Sequence, residues 1–226
     1  MNFVFEQIRI GGDRNFGYLV GDREARECVL IDPAYSPEVL VERAQAQQLK
    51  VIAIVNTHSH NDHINGNAKA KELTGAPVAA FHESPIFPDR PLQDNDVIDV
   101  GRYALHALHT PGHIDDHLVF IIEDTRATDE RDAILGAITG DLLFVGKVGG
   151  TSTEVQAKTE WASLQRFIRE APNHVTIWPG HDYGVRPVST LGLERATNPF
   201  LLCPDVESFV KFKAAWPEFK AKMGLK

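Results

Sequence analysis

The chain has 226 residues, 43% of them hydrophobic and 24% charged, with 17 glycines and 13 prolines. It is long enough to bury a full core, too apolar for disorder, and unlike a collagen or a coiled coil. A net charge of −8 repels phosphate backbones and anionic lipid surfaces, so neither nucleic acid nor a membrane is an expected partner. Cys28 and Cys203 are the only cysteines, which excludes a disulfide framework and a thiolate zinc site. The N-terminal stretch carries Glu6 among its apolar residues and lacks the basic start and long apolar middle of a signal peptide. A cytoplasmic protein is the expectation.

In chain order, strands are predicted at Phe3 to Ile10, Gly17 to Gly21 and Cys28 to Ile31, with Gly11-Gly12-Asp13 and the polar GDREARE stretch as turns. Asp32-Pro33 ends the third. Ser36 is placed to cap a helix that has Pro37 at its first position and runs to about Gln48. The continuous apolar run KVIAIV, Lys50 to Val55, suits a strand buried on both faces. A polar loop, NTHSHNDHINGN, precedes a helix at Ala68 to Thr74. Short strands follow at Pro77 to Ala80, Asp96 to Val100, Tyr103 to His109 and His117 to Ile122, then the charged loop EDTRATDERD and a strand at Ala133 to Thr139. Helical spacing covers Thr159 to Arg169, a strand covers Val175 to Trp178, and the remainder from Arg186 is mostly helical with breaks at Pro187, Asn198-Pro199 and Pro204. Strand-rich stretches alternating with helices predict an α/β architecture with helices outside sheets. Phe209, Phe212, Trp216 and Phe219 recur at helical spacing and are expected to pack on the body of the domain.

Chemically loaded residues sit just after apolar strands: His58, His113, Asp141 and His181. Strand C-terminal ends are where open α/β folds place their sites. The stretch His58 to His63 reads H-S-H-N-D-H, four potential ligands within six positions. Imidazole nitrogen and carboxylate oxygen suit zinc, iron and manganese. Packing three imidazoles and a carboxylate together has no stabilising purpose without a cation, because a buried unpaired charge is costly. Alone, His113 reads equally as a turn residue, Asp141 as an N-cap and His181 as a buried histidine held by a carbonyl. Each gains weight from the first cluster, because one short loop cannot supply every ligand an ion needs. His82, His106, His109, His117 and His174 read as structural or surface residues, His117 being nearest to a supporting role through its proximity to His113.

The motifs THSHNDH, TPGH, TGD and PGHD, in that order and at these intervals, resemble the metallo-β-lactamase superfamily. Within it the chain looks most like glyoxalase II-type hydrolases of a single domain. HDY and VST with the following Asn-Pro are also similar to the persulfide dioxygenase branch. The resemblance implies an αββα sandwich of two mixed β-sheets flanked by helices, one domain over 1–226 with a short helical extension from about 186. It implies that His58, His60 and His113 hold a first metal, that Asp62, His63 and His181 hold a second, and that Asp141 bridges them. The expected cofactors are two divalent ions, zinc first, with iron or manganese as alternatives. In the dioxygenase branch the same scaffold implies one iron on His58, His113 and Asp141.

Two such cations about 3.5–4 Å apart hold a bridging water as hydroxide near neutral pH. Hydroxide attacks a carbonyl carbon, Asp62 orients it and takes its proton, and a metal stabilises the oxyanion. A thioester suits this reaction, since a thiolate leaves with little protonation, and an acylated glutathione is the leading substrate. The alternatives are a persulfide dioxygenase and a metal-stabilised binding domain without catalysis. The Cys-Gly-Arg/Lys-type stretch of the two-domain glyoxalase II proteins is replaced here by Val145-Gly-Lys-Val-Gly-Gly-Thr151. Lys147, Tyr183 and Arg186 are the candidate substrate contacts; the competing reading makes Lys147 an exposed loop charge and Tyr183 a packing residue.

Overall fold

A computed structural model describes residues 2–129 and 133–223; the last three residues of the charged loop, 130–132, lie outside them. Two six-stranded sheets face each other. The first has the order β1 (Phe3–Gly11), β2 (Asn15–Asp22), β3 (Glu27–Ile31), β4 (Lys50–Val55), β5 (Val78–Phe81) and β6 (Arg90–Leu92). Its β1–β2–β3 pairs are antiparallel, and the β3–β4–β5–β6 pairs are parallel. The second sheet runs β14 (Ser189–Thr190), β13 (Thr176–Pro179), β10 (Ile134–Gly140), β9 (Leu118–Asp124), β8 (Tyr103–His109) and β7 (Val97–Val100). Only β10–β13 is parallel in it. A small hairpin joins β11 (Leu143–Phe144) to β12 (Lys147–Val148).

The period of two along a strand sorts the core into layers. Tyr18, Val20, Val29, Ile31 and Val55 point from the first sheet toward Leu105, Ala107, Phe120, Ile122 and Ile138 of the second, forming the inner core. Their neighbours Leu19, Leu30 and Ile54 point outward and are covered by α1 (Pro37–Ala46), through Leu40, Val41 and Ala44, and by Ala70 of α3 (Asn67–Thr74). On the far side Val119, Ile121, Ala137 and Ile177 lie under α4 (Glu154–Glu170), α5 (Leu191–Thr197) and α6 (Val206–Met223), chiefly Leu164, Phe167, Leu191 and Phe209, with Phe200 of the turn between α5 and α6. Helix, sheet, sheet, helix is the layering expected from the sequence. KVIAIV is a continuous apolar run because both of its faces are covered.

Several local expectations are corrected. Ser36 stands at the N-cap of α1, but its hydroxyl donates to the Ile10 carbonyl at 3.0 Å and makes no cap hydrogen bond; the helix ends at Ala46. The fourth helix begins at Glu154, five residues before the predicted Thr159, because Thr153 and Gln156 form a capping box: the Thr153 hydroxyl accepts from Gln156 N at 3.1 Å and Gln156 Oε1 accepts from Thr153 N at 3.1 Å. The loop after β4 contains a single helical turn, α2 (Asn61–Ile64). The short strands β6 and β14 escaped prediction because three and two residues carry too little periodicity. Among the C-terminal aromatics Phe209 is fully buried, whereas Phe219 remains 43% exposed. Among the described residues, no helix is long and apolar enough to cross a membrane.

Candidate metal centre

The loops that follow β4, β8, β10 and β13 meet at one edge of the sandwich. Hydrogen bonds pin them there: Leu118 N donates to Thr57 O at 2.7 Å and Phe16 N to Gly180 O at 2.9 Å between the sheets, and Gly180 N donates to Gly140 O at 2.8 Å within the second sheet. These loops bring together all seven of His58, His60, Asp62, His63, His113, Asp141 and His181. His58, His60 and His113 form one group that can hold a metal ion, and Asp62, His63 and His181 form another; His58, His63 and Asp141 form a third that spans them.

Their facing atoms show what the cluster is shaped for. His58 Nε2 and His113 Nε2 each lie 3.0 Å from His60 Nδ1, and His63 Nε2 lies 3.2 Å from His181 Nε2. Donors on a tetrahedral ion with bonds of 2.0–2.1 Å stand about 3.3–3.4 Å apart, close to these separations. Asp141 spans the groups: Oδ1 is 3.4 Å from His63 Nε2, and Oδ2 is 3.5 Å from His113 Nε2 and 3.4 Å from His181 Nε2. Asp141 Oδ1 is buried and makes no hydrogen bond, which is costly for a carboxylate unless a cation meets it. Asp62 Oδ2 lies 3.5 Å from His181 Nε2, and its side chain, 33% exposed, is the carboxylate of the set most open to solvent.

The nitrogens facing away are tied in four of the five histidines. His58 Nδ1 donates to the Thr57 hydroxyl at 3.0 Å, and that hydroxyl donates to Asp32 Oδ2 at 2.6 Å. His63 Nδ1 donates to Asp32 Oδ2 at 2.9 Å, His113 Nδ1 to Gly150 O at 2.6 Å, and His181 Nδ1 to Asp13 O at 2.9 Å. Each bond fixes the tautomer that leaves the Nε2 lone pair pointing inward. Asn15 Nδ2 donates to the Asp62 carbonyl at 3.0 Å and to Asp62 Oδ2 at 3.1 Å. His117 is fully buried. Its Nε2 accepts from Asp141 N at 3.0 Å while Nδ1 donates to the Thr110 hydroxyl at 2.8 Å. It is therefore a support for Asp141 rather than a plain strand residue. Gly180 is required by closeness: a Cβ there would stand 2.4 Å from Asp141 Oδ1.

The electrostatics follow from this packing. Burial opposes the charge on Asp141, but the imidazoles of His63, His181 and His113 outweigh it and hold the carboxyl below the usual carboxylate range. Burial pushes His58 well down, helped by the imidazoles of His63, His117, His113 and His60. Burial and the nearby His113 lower His117 to about 3, so it stays neutral. Burial also lowers His113, whereas at His63 and His181 burial is outweighed by the carboxylates: Asp141 and Asp32 lift His63 to about 9, and Asp141 raises His181. Two ionised carboxylates thus hold protons on the imidazoles beside them, the place a divalent cation would take.

Asp32, Asn15, Thr57 and Asp13 carried no signal in the sequence reading beyond turn propensity. Asp32 had one available cue, a charged residue closing a buried strand, and its positive φ of 46° marks a specialised turn. Of the candidate substrate contacts, Tyr183 stacks on His181 with ring centroids 4.5 Å apart, and its hydroxyl donates to Asp13 Oδ2 at 2.7 Å. Lys147 Nζ lies 5.6 Å from the Tyr183 ring centroid. Both line a cavity of about 360 Å³ beside the cluster, with Arg14, Phe144, Trp216 and Lys220. Arg186 is exposed and lines an adjoining groove on the other side of Tyr183, with its Nη2 3.5 Å from the Ser189 hydroxyl.

An αββα sandwich with a His/Asp cluster able to hold divalent metal ions at one sheet edge defines the class. The sequence profile of the Metallo-beta-lactamase superfamily matches residues 10–85. Human mitochondrial persulfide dioxygenase ETHE1 is 36% identical over 201 residues, covering 87% of this chain and 74% of that protein. The hydroxyacylglutathione hydrolase of Polaromonas sp. is 32% identical over 185 residues, covering 80% and 67%. The crystal structure of TTHA1623 in a di-iron-bound form superposes with a TM-score of 0.67 at 31% identity, covering 87% of this chain and all of that one. The chain belongs to the metallo-β-lactamase superfamily.

Proposed function

We propose that the protein is a metal-dependent hydrolase that cleaves a thioester, with an acylated glutathione as the leading substrate. The observation that carries this reading is the second donor group: Asp62, His63 and His181 also gather their donor atoms within 4.8 Å of one another, as His58, His60 and His113 do, so the residues would hold two ions, with Asp141 facing both groups. The solved relative in a di-iron-bound form supports the same stoichiometry. Zinc and iron both suit this donor set. Two divalent cations there supply water acidic enough to ionise near neutral pH and an electrophilic contact for a carbonyl oxygen.

The chain's own residues do the rest. Asp62, steadied by Asn15, presents its partly exposed carboxylate where it can take a proton from the attacking water. Asp32, Asp13, Thr57 and the Gly150 carbonyl hold four imidazoles in fixed tautomers. The adjoining cavity offers apolar Phe144, Phe200 and Trp216 among Arg14, Lys147 and Lys220. That is a cationic pocket on a chain of net charge −8, and it suits a small anionic thioester. Burial lowers the Lys147 ammonium, and repulsion from Lys220 and Arg14 adds to it; an incoming carboxylate would relieve that repulsion. A thiolate leaves readily, so the carbon–sulfur bond breaks with no acid required at the leaving group.

A second reading is favoured by the 36% identity to human persulfide dioxygenase over 87% of the chain. In it His58, His113 and Asp141 hold a single iron. Metal analysis of the purified protein, with an acylglutathione assayed in the presence and absence of oxygen, separates the two. Two metals per chain and thiol release independent of oxygen are expected. One iron per chain with oxygen uptake on a persulfide, and no thiol release from the thioester, would overturn the hydrolase.

A further inference from the structure

The C-terminal helix reaches the metal centre through one buried charge that the proposed chemistry does not use. Lys213 of α6, its side chain 8% exposed, pairs with Glu160 of α4, which is fully buried, and its Nζ also donates to Gly149 O at 2.7 Å. The next carbonyl along, Gly150 O, is the one that accepts the His113 Nδ1–H at 2.6 Å. Gly149 is itself wedged inward: a Cβ on it would stand 2.0 Å from Asp141 O and 3.0 Å from His113 Nδ1.

The other side of His113 is gripped by α4. Ser163 Oγ of α4 donates to Pro111 O at 2.6 Å. Gly112, at a φ of +137° that strongly favours glycine, lies so close to α4 that a Cβ would stand 2.4 Å from Glu160 Cα. Glu160 and Lys213 therefore sit where the TPGH turn and the Gly149–Gly150 loop meet.

A buried ion pair is seldom the most stable choice for such a place. Desolvation of both charges often exceeds their attraction, and apolar replacements of similar size are commonly neutral or stabilising. Glu160 Oε1 moreover has no hydrogen-bond partner, and burial lifts the carboxyl to about 7 against the pull of Lys213. What an apolar pair would not reproduce is the directed hydrogen bond to the loop carbonyl.

We propose that Lys213, oriented by Glu160, is a positioning residue for the first metal group: by holding the Gly149–Gly150 loop it aims the His113 imidazole, so the C-terminal helix sets the affinity of the His58–His60–His113 site. The inference rests on the reading that these histidines hold a metal ion.

The test is a stepwise titration of the metal-free full-length protein with Co²⁺, followed by absorption and chelator competition, alongside thermal unfolding. The double variant Glu160→Met/Lys213→Met removes both charges together and leaves no lone buried one. One of the two Co²⁺ equivalents is expected to weaken about 10–100-fold, the usual effect of losing an outer support of a ligand. The other equivalent and the melting temperature should stay as in the parent, and Lys213→Arg should retain most of the affinity. Unchanged affinity at both sites overturns the proposal. So does parallel weakening of both ions with a lowered melting temperature, which marks a merely structural pair. A parent protein that takes up no Co²⁺ at the cluster would overturn the metal reading itself.

Discussion

Asp141→Ala is expected to lower kcat on the thioester by on the order of 10³-fold or more, since metal-supplied charge stabilisation is worth several kcal/mol. Asp141 is the one carboxylate that faces both donor groups, through Oδ1 to His63 and Oδ2 to His113 and His181. Two dications in this pocket bring four positive charges, against which the cluster sets only Asp141 and Asp62. Loss of Asp141 leaves the ions with less compensation and lets them drift apart or leave. The backbone bond from Asp141 N to His117 survives the substitution, so the turn itself should remain. Parallel measurement of kcat and bound metal checks the cause: metal content should fall with activity. Near-normal turnover in Asp141→Ala would rule out catalysis at this cluster.

Asp32→Ala is the second large effect expected, although Asp32 is no part of the donor set. Its carboxylate accepts from Thr57 N at 2.8 Å, from the Thr57 hydroxyl at 2.6 Å and from His63 Nδ1 at 2.9 Å, all buried. Removing it orphans these donors at about 1–3 kcal/mol for each buried group left unpaired. It also frees His63 to take the other tautomer and frees the Thr57 hydroxyl that holds His58. Metal affinity should fall by about 10–100-fold, and the melting temperature should drop in the same variant. Chelator competition and thermal unfolding read the two consequences separately. A melting temperature that falls with metal affinity intact would confine Asp32 to the fold.

The layered fold was legible because burial leaves periodic marks. KVIAIV announced a strand covered on both faces, and the alternation through Tyr18, Leu19 and Val20 divides one strand between two cores. The His/Asp cluster was legible because its residues are of few types and follow strand ends in short motifs. Their supports were not, because each joins residues distant in sequence through ordinary polar groups. Asp32 meets His63 across 31 positions, Asn15 meets Asp62 across 47, and Lys213 meets Glu160 across 53. Neither member of such a pair is chemically unusual by itself. Asn198 is a similar case: placed in sequence only as a helix break, it is fully buried and donates to the carbonyl of Lys147 at 3.1 Å, steadying the hairpin that carries that lysine to the cavity.

The central proposal is that seven side chains from four segments hold a pair of divalent ions. Anomalous scattering from crystals of the metal-loaded protein, collected on either side of the metal's absorption edge, tests it most directly. Two peaks about 3.5–4 Å apart are predicted, one against His58, His60 and His113 and one against Asp62, His63 and His181, with Asp141 reaching both. A single peak on His58, His113 and Asp141, or peaks remote from the loop that begins at His58, would contradict it.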